Sequence, residues 1–281
     1  MNELQALLLG VVQGLTEFLP ISSSGHLILV PWLLDFHYLE QHPAFNKAFD
    51  VALHGGTLAA VLAYFRVELM AYFHGFMRTL HTRRVDSEDE RMAWLILIAT
   101  VPAAAIGAAA EGTIEDKLGQ PWQIAILLAV FGVVLGLADR LPERREMTGL
   151  GWRSALVIGL AQAVALAPGT SRSGITITAG RALGLTRQAA ARFSFLMLAP
   201  ITFGAVLFEA VDLAGTGFPP GSAGPFVVGI LAAAVSGFAA IRWMLGYLQT
   251  HNYDVFVVYR LVVAAIVLAL IASGAQSATF E

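Results

Sequence analysis

Six apolar segments, each long enough to cross a membrane as a helix, constrain the fold of this chain more than any other feature. Crossing the hydrocarbon core takes about 20 mainly apolar residues in helical conformation, and the 281-residue chain is 57% hydrophobic and only 13% charged. The segments lie near residues 46–66, 92–111, 121–140, 188–210, 224–247 and 255–274. The sequence therefore predicts an all-α polytopic membrane protein, with one membrane domain over residues 1–281.

Composition narrows the chemistry open to such a chain. The net charge is −3 and both signs are present, so nothing indicates binding to nucleic acid. The sequence contains no cysteine, which excludes disulfides, thiolate catalysis and cysteine-bound metals. Catalysis would have to come from serine, histidine, arginine and carboxylate side chains.

Two further apolar regions are interrupted too early to be spans. Regions 4–34 and 153–185 each reach a proline, Pro20 or Pro168, pass through a loop rich in serine and glycine, and resume in a short apolar stretch. As a helix, the stretch 27–34 would rise only about 12 Å. We expect two re-entrant helical hairpins. Non-helical backbone at that depth is tolerated only where protein buries it or water lines it, so each loop marks a candidate site.

The two hairpins are related in sequence. Residues 10–25 align without gaps on residues 159–174, at a shift of 149. We interpret the chain as a duplication with halves 1–140 and 153–274, each holding one hairpin and three spans. An odd number of spans inserts the second half upside down, which gives an inverted-topology repeat of the kind found in transporters.

The charges of the loops predict the orientation. Loops 66–91 and 140–153 are rich in arginine, whereas 111–120 and 209–225 are mainly acidic. Because loops with an excess of positive charge stay inside, the arginine-rich loops should be cytoplasmic and both termini outside.

Polar residues cluster in the two hairpin loops. The first cluster runs from Gln13 through Glu17 to Ser22–His26, and the second is Pro168–Gly174. In each cluster a loop opens a short helix, whose free backbone N–H groups and positive dipole end favour an anion. If the hairpins enter from opposite faces, their tips meet near the midplane and could hold one phosphate or diphosphate between them.

Four side chains of these loops could carry chemistry. Arg172 offers a planar fork for phosphate oxygens, at an insertion cost of about 2.5–3.5 kcal/mol; a structural ion pair with Glu17 or Asp50 is the alternative. Glu17 would act as a general base, or form that same pair. Ser23 could be a nucleophile, a phosphate donor or an ordinary helix cap. His26 could be a proton shuttle, a nucleophile or a structural histidine.

Supporting polar residues lie nearby in the sequence. Gln13 precedes Glu17 by one helical turn and shares its face. Asp50 and His54 form a similar polar pair on the span 46–66. That pair could orient a catalytic group, hold a divalent cation, or be structural.

At these motifs the sequence closely resembles the bacterial undecaprenyl-diphosphate phosphatases, an integral membrane family linked to bacitracin resistance. The similarity covers the whole chain and rests on the motifs Glu17–His26, Phe49–Val51, Pro168–Gly174, Phe193–Phe195 and Tyr259–Arg260. It implies hydrolysis of the C55 isoprenyl diphosphate to the monophosphate and inorganic phosphate, which recycles the lipid carrier of peptidoglycan precursors. It also implies a multi-pass protein of the bacterial plasma membrane, a site facing the periplasm or exterior, a divalent cation (Mg²⁺ or Ca²⁺) and a homodimer.

The resemblance also implies roles for single residues. Glu17 matches the essential acid of the family, Ser23 the candidate nucleophile, His26 the catalytic histidine and Arg172 the phosphate-binding arginine. The residues expected around the phosphates are Ser22, Ser24, Gly25, Thr170, Ser171, Arg172, Ser173 and Gly174. Glu17 and Asp50 are the expected metal ligands.

Two positions depart from the family pattern. Gln13 stands where the first acid of the motif is often glutamate, which removes a carboxylate that could bind metal. His54 stands where some members have glutamine, and raises the same question about the metal ligands.

The residues alone also support a membrane transporter or flippase for a phosphorylated lipid or anion. Broken helices that meet at a polar site near the midplane are a transporter arrangement, and such a protein would need no nucleophile. A phosphatase for a different lipid tail is a further alternative. Phosphate release in detergent separates hydrolysis from transport, because transport requires two compartments.

Overall fold

In a computed structural model, which describes residues 1–216 and 223–280, the regular structure of the described chain is helical. The helices are α1 Glu3–Phe18, α2 Ser23–Leu33, α3 His37–Gln41, α4 Pro43–Tyr64, α5 Arg66–Thr82, α6 Glu88–Lys117, α7 Pro121–Asp139, α8 Trp152–Ala163, α9 Arg172–Ala182, α10 Arg187–Thr216, α11 Ala223–Tyr247 and α12 Asp254–Ala272.

Five of the described helices contain segments long and apolar enough to cross a membrane. These segments are Glu88–Ala109, Pro121–Asp139, Arg187–Phe208, Ala223–Tyr247 and Asp254–Ala272. Helices α4 and α5 meet the same criteria as a pair, with a bend of 86° at the break between them. The predicted all-α polytopic fold with about six spans is therefore confirmed. Of the two acidic loops, most of 111–120 is helical within α6, and 209–225 lies partly outside the described residues.

Residues 66–82, which the charge pattern assigned to a cytoplasmic loop, form helix α5. Its exposed apolar side chains are spaced three or four positions apart: Val67, Met70, Phe73, Met77 and Leu80. Its buried residues, Gly75 and Thr79, lie on another face, and α5 packs on α6. The segment is an amphipathic helix. The prediction of a loop was wrong because it counted the charges and ignored the helical spacing of the apolar residues between them.

Two helix–loop–helix units occupy the regions 4–34 and 153–185. A Cβ added to Gly10 would lie 2.4 Å from the carbonyl oxygen of Gly229, so α1 packs closely on α11. A Cβ added to Gly159, its counterpart in the second half, would lie 2.4 Å from the carbonyl oxygen of Ala99, so α8 packs equally closely on α6. Only glycine fits at either position.

The spans also pack across the two halves of the chain in matching pairs. Each hairpin leans on the second span of the other half, and α4 packs on α10 as α7 packs on α12. Reciprocal contacts of this kind are what a two-fold relation between duplicated halves requires. They support the interpretation of the chain as a duplication, while the inverted insertion of its second half stays a prediction.

Candidate active site

The two hairpin loops have the same local geometry. Ser22 and Ser171 cap α2 and α9 with φ angles of 78° and 77°, which residues other than glycine rarely adopt. Each hydroxyl accepts a hydrogen bond from the backbone N–H three residues on, that of Gly25 at 3.3 Å or Gly174 at 3.1 Å. Helical geometry leaves the other first-turn amides without intrahelical acceptors. The result is a pair of helix N-termini of one design, each suited to an anion.

The loops contact each other directly. The Gly169 N–H donates to the Ser22 hydroxyl at 3.2 Å, and the Ser173 hydroxyl donates to the Leu19 carbonyl at 3.1 Å. Gly169 has a φ of +99°, and a Cβ there would lie 2.8 Å from the carbonyl oxygen of Ile124, so this position requires glycine. The two polar clusters therefore form one site.

Glu17 lies at the centre of that site. The Arg172 guanidinium donates to one carboxylate oxygen at 2.8 Å. The Ser23 hydroxyl donates to the other at 2.6 Å, and the Gln13 amide donates to that same oxygen at 3.1 Å. His54 Nε2 lies 3.6 Å from it. The buried Glu17 carboxylate thus joins the Ser23 hydroxyl of the first loop to the Arg172 guanidinium of the second.

Arg172 forms the ion pair with Glu17 that was the structural alternative to phosphate binding. Its second fork nitrogen donates to the Ser194 carbonyl at 2.8 Å, and the Ser194 hydroxyl bonds Thr176 at 2.7 Å. The guanidinium is half-buried and held from two sides, with its carboxylate partner inside the site. Because Glu17 is itself part of the site, the ion pair holds the Arg172 guanidinium at the second loop, where phosphate binding is predicted.

The remaining loop hydroxyls surround the two helix ends. Ser24 and Ser22 hydroxyls lie 3.5 Å apart, and those of Ser171 and Ser173 lie 3.3 Å apart. The Thr170 hydroxyl is buried and has no hydrogen-bond partner in the described part of the chain. An unpaired hydroxyl beside a helix N-terminus is available to a bound oxyanion.

His26 is held by two groups other than Glu17. Its Nδ1 lies 2.7 Å from the Ser22 carbonyl, which can only accept, so Nδ1 carries the hydrogen. Its Nε2 lies 2.8 Å from the Tyr259 hydroxyl, and the two rings stack. Both nitrogens of the buried imidazole are therefore engaged.

Asp50 and His54 differ in how they reach the site. His54 Nδ1 bonds the backbone carbonyl of Asp50 at 2.7 Å, which turns Nε2 towards Glu17. The structure thus brings His54 into the site through the Asp50 backbone. A metal-binding role for the Asp50 carboxylate stays a prediction.

The residues around Glu17 fit a cation that arrives with a phosphate ligand. Among the described residues, no group of three histidine, cysteine, aspartate or glutamate side chains could hold a metal by itself. The buried Gln13 Oε1 next to Glu17 has no partner within that part of the chain. Mg²⁺ is often bound by one or two carboxylates together with substrate phosphates, and this amide oxygen and the Glu17 carboxylate fit such a mode.

Three residues of the site entered the sequence analysis only within motifs of the family resemblance, with no role of their own: Ser194, Tyr259 and Arg260. Tyr259 holds His26, and Arg260 donates hydrogen bonds to both loops. Apart from those motifs, the sequence offered one physical signal, an arginine inside the apolar run 255–274, because a charge within a span is costly.

Comparison with known proteins places the chain among named relatives. Residues 6–266 match the family profile described as bacitracin resistance protein BacA. A protein named undecaprenyl-diphosphatase from Pelobacter propionicus is 45% identical over 98% of this chain and 99% of its own length. A protein of the same name from Rubrobacter xylanophilus is 46% identical over 95% of this chain and 98% of its own length.

A third relative, from Geobacter sulfurreducens, bears the same name and is 45% identical over 96% of this chain and 98% of its own length. Both the profile match and these identities extend over nearly the whole chain, so they include both loops and the helices that hold them. The chain belongs to the bacitracin resistance protein BacA family, the undecaprenyl-diphosphatases.

Proposed function

We propose that this undecaprenyl-diphosphatase hydrolyses its lipid diphosphate at the two joined loops, with Glu17 as the central base. The observation that carries the assignment is the position of Glu17, which bonds Ser23 of one loop and Arg172 of the other. A transporter would need the anion-binding groups but no nucleophile paired with a base. The 2.6 Å bond between Ser23 and Glu17 favours hydrolysis.

The first chemical step is attack by Ser23. Glu17 accepts the Ser23 proton as Oγ forms a bond to the terminal phosphorus. The bond from phosphorus to the bridging oxygen breaks, and undecaprenyl phosphate leaves with that electron pair. His26 is a poorer nucleophile here, because both of its nitrogens are engaged.

The second step releases inorganic phosphate. A water oxygen attacks the phosphoserine, and the bond between phosphorus and Ser23 Oγ breaks. Protonated Glu17 returns its proton to Oγ, and the water hydrogens leave with the phosphate. Serine and carboxylate are thereby restored to their starting states.

Charge stabilisation comes from both loops. Arg172 and the first-turn amides of α2 and α9 point donors at the transferring phosphoryl oxygens, where negative charge is spread in the transition state. A divalent cation held by Glu17 and Gln13 Oε1 would supply further positive charge to the phosphate oxygens. In these two steps Glu17 carries the proton, while His26, to which the family resemblance gives a part in proton transfer, is held by Tyr259 against the Ser22 carbonyl.

The setting in the cell follows the same proposal. Recycling the lipid carrier of peptidoglycan synthesis requires a site open to the periplasm or exterior, and the arginine-rich segments 66–91 and 140–153 then lie on the cytoplasmic side. Support for a homodimer comes from the family resemblance alone.

The decisive experiment measures inorganic phosphate released from undecaprenyl diphosphate by the purified protein in detergent, with and without Mg²⁺ or Ca²⁺. We expect cation-dependent release, lowered at least about a hundredfold in Arg172→Ala and Glu17→Gln. Full activity in either folded variant would contradict the assignment of the site. Absence of release by the wild type under every condition would instead favour a lipid or anion transporter.

A further inference from the structure

Arg260 is a fully buried cation on the face of α12 that packs on α7, a face it shares with the apolar residues Phe256, Ala264 and Val267. Its exposed fraction is 0%, whereas its neighbours Val258, Tyr259 and Val262 are 58%, 40% and 50% exposed. Placing an arginine at membrane depth is costly, and such residues are usually functional. The contacts of its guanidinium indicate what it does.

The guanidinium bonds backbone carbonyls only. The five acceptors are those of Pro20, Leu127, Leu128, Gly169 and Thr170, at N···O distances of 3.0 to 3.3 Å. Pro20 belongs to the first loop, Gly169 and Thr170 to the second, and the two leucines to α7. The leucine carbonyls already accept N–H groups within α7, whereas the three loop carbonyls lie outside a helix and have no water in the hydrocarbon core to bond them. One planar guanidinium bonds all five and ties three segments together.

The positive charge of Arg260 is not neutralised nearby. Within residues 1–216 and 223–280, Arg260 forms no ion pair, whereas six other arginines do: Arg78, Arg91, Arg172, Arg181, Arg187 and Arg192. Arg172 is balanced by Glu17 at 2.8 Å. Arg260 therefore adds a positive charge at the two loops that no carboxylate within ion-pair distance balances in the described part of the chain.

That charge lies directly behind the second loop. A Cβ added to Gly174 would be 3.0 Å from Arg260 Nη1, and the Gly174 N–H is part of the capped turn that opens α9. At this depth the surroundings screen charge weakly, so the field of the guanidinium reaches an anion bound on the other side of the loop.

We propose that Arg260 is a positioning residue with two effects, on the assumption that the loops hold the diphosphate as described above. It fixes the separation of the two loops, and it places an uncompensated positive charge behind them that strengthens diphosphate binding without touching the substrate. The first effect depends on the fork and governs kcat. The second depends on the charge and governs KM.

Two substitutions separate these effects. Arg260→Lys keeps the charge but has one ammonium group, which cannot reach all five carbonyls. We expect a KM within about threefold of the wild type and a kcat lowered at least about tenfold. Arg260→Gln loses both fork and charge, and we expect kcat to fall similarly and KM to rise on the order of tenfold. Rates are taken per folded protein, quantified by size-exclusion chromatography.

The matched control is Arg181→Gln. Arg181 is equally buried but lies between Asp139 and Glu143, and its kcat and KM per folded molecule should stay at the wild-type values. An unchanged KM in Arg260→Gln overturns the electrostatic effect. An unchanged kcat in Arg260→Lys overturns the positioning effect. A wild type that releases no phosphate contradicts the proposed function itself, independently of either variant.

A second pair of variants serves if the Arg260 variants do not fold. A Cβ added to Gly132 would lie 3.2 Å from Arg260 Cβ, so Gly132→Ala displaces the arginine stem while keeping its charge. Gly136, one turn on along α7, faces Val257 at 3.4 Å and gives the control Gly136→Ala. We expect a lower kcat in Gly132→Ala than in Gly136→Ala; equal kcat values would exclude the positioning effect.

Discussion

Ser23 and Ser24 are neighbours on the same loop, are similarly exposed, and differ in what they contact. The Ser23 hydroxyl donates to Glu17 at 2.6 Å, whereas the Ser24 hydroxyl lies 3.5 Å from that of Ser22. We expect Ser23→Ala to lower kcat at least about a thousandfold, because it removes the nucleophile. Ser24→Ala should lower it less than about tenfold, since at most one phosphate donor is lost. Initial rates of phosphate release measure both, and a near-normal rate in Ser23→Ala would exclude a serine nucleophile in favour of water.

Ser22 and Ser171 offer a matched test of the loop geometry. Replacing Ser22 by alanine removes the cap and leaves a non-glycine residue at a φ of 78°. We expect a loss of about 1–2 kcal/mol in unfolding free energy. Ser22→Gly should lose about 1 kcal/mol less, because glycine adopts this backbone without strain.

Ser171 is the control for the contact between the loops. Ser22 accepts a bond from the Gly169 N–H of the other loop, while the bonds of Ser171 are to Gly174 and Ser173 of its own. Ser171→Ala should therefore destabilise the protein less than Ser22→Ala. Thermal unfolding in detergent compares the variants, and equal losses would mean that the Ser22–Gly169 bond does not contribute.

For single residues, the sequence predicts a site residue best where its partners lie close to it in the sequence or in the related hairpin. Gln13, Glu17 and Ser23 lie within one hairpin, and Arg172 lies in the loop related to it by the repeat. Tyr259 is different, because its contact with His26 joins residues 233 positions apart. No local pattern specifies that approach, since it follows from how α12 packs against the rest of the bundle.

Among the single elements, helix α5 differs from the spans in its direction. It turns by 86° from α4 and meets α6 near Asp89 and Glu90, the charged beginning of a span. We expect α4 to be the span of this pair and α5, at 86° to it, to lie along the membrane surface. Its apolar stripe then faces lipid and its basic residues face the headgroups and water.

The absence of cysteine in the sequence makes this orientation measurable with single spin labels. Phe73 is 58% exposed on the apolar stripe, and Arg78 is 67% exposed on the polar side. In liposomes, a label at Phe73→Cys should be more accessible to oxygen than to a water-soluble nickel chelate, and a label at Arg78→Cys should show the reverse. Equal accessibility to the nickel chelate at both positions would place α5 in water and contradict the surface orientation.

The sequence predicts the long spans better than it predicts elements of mixed polarity. In a chain this hydrophobic, an apolar run such as 255–274 can be interpreted only as a membrane-spanning helix. The segment 66–82 carries charge at several positions, and its helix packs on α6 with one face and exposes an apolar stripe on another. Neither helix α6 nor the surroundings of the exposed stripe can be read from the segment itself. Counting its charges alone therefore indicated a loop.

At the scale of the whole molecule, an ion cluster joins the two halves away from the loops. Asp139 of α7 bonds Arg187 of α10 at 2.7 Å and lies 3.4 Å from Arg181 of α9. It also accepts the Tyr253 N–H at 3.0 Å, just before α12. Burial, and next the Asp139 carboxylate, raises the pKa of Tyr253 well above its ordinary value, so the phenol stays protonated and donates to the Arg187 carbonyl. The cluster stabilises the packing of one half on the other.

Asp139 and Glu143 share the same two arginine partners but differ in burial. Asp139 is 3% exposed and Glu143 is 39% exposed. Asp139→Asn leaves the buried Arg181 and the partly exposed Arg187 without their main counter-charge, and we expect it to cost about 3–5 kcal/mol of unfolding free energy. Glu143→Gln removes a solvent-screened partner and should cost less than about 1 kcal/mol.

The Asp139 cluster also separates stability from catalysis. Because it lies outside the two loops, kcat and KM per folded molecule should match the wild type in both variants, even where Asp139→Asn shortens the lifetime of the fold. Thermal unfolding in detergent and phosphate release from the same preparation measure the two quantities together. A lowered kcat in folded Asp139→Asn would mean that the packing of the halves, and not only the contacts of Arg260, sets the geometry of the loops.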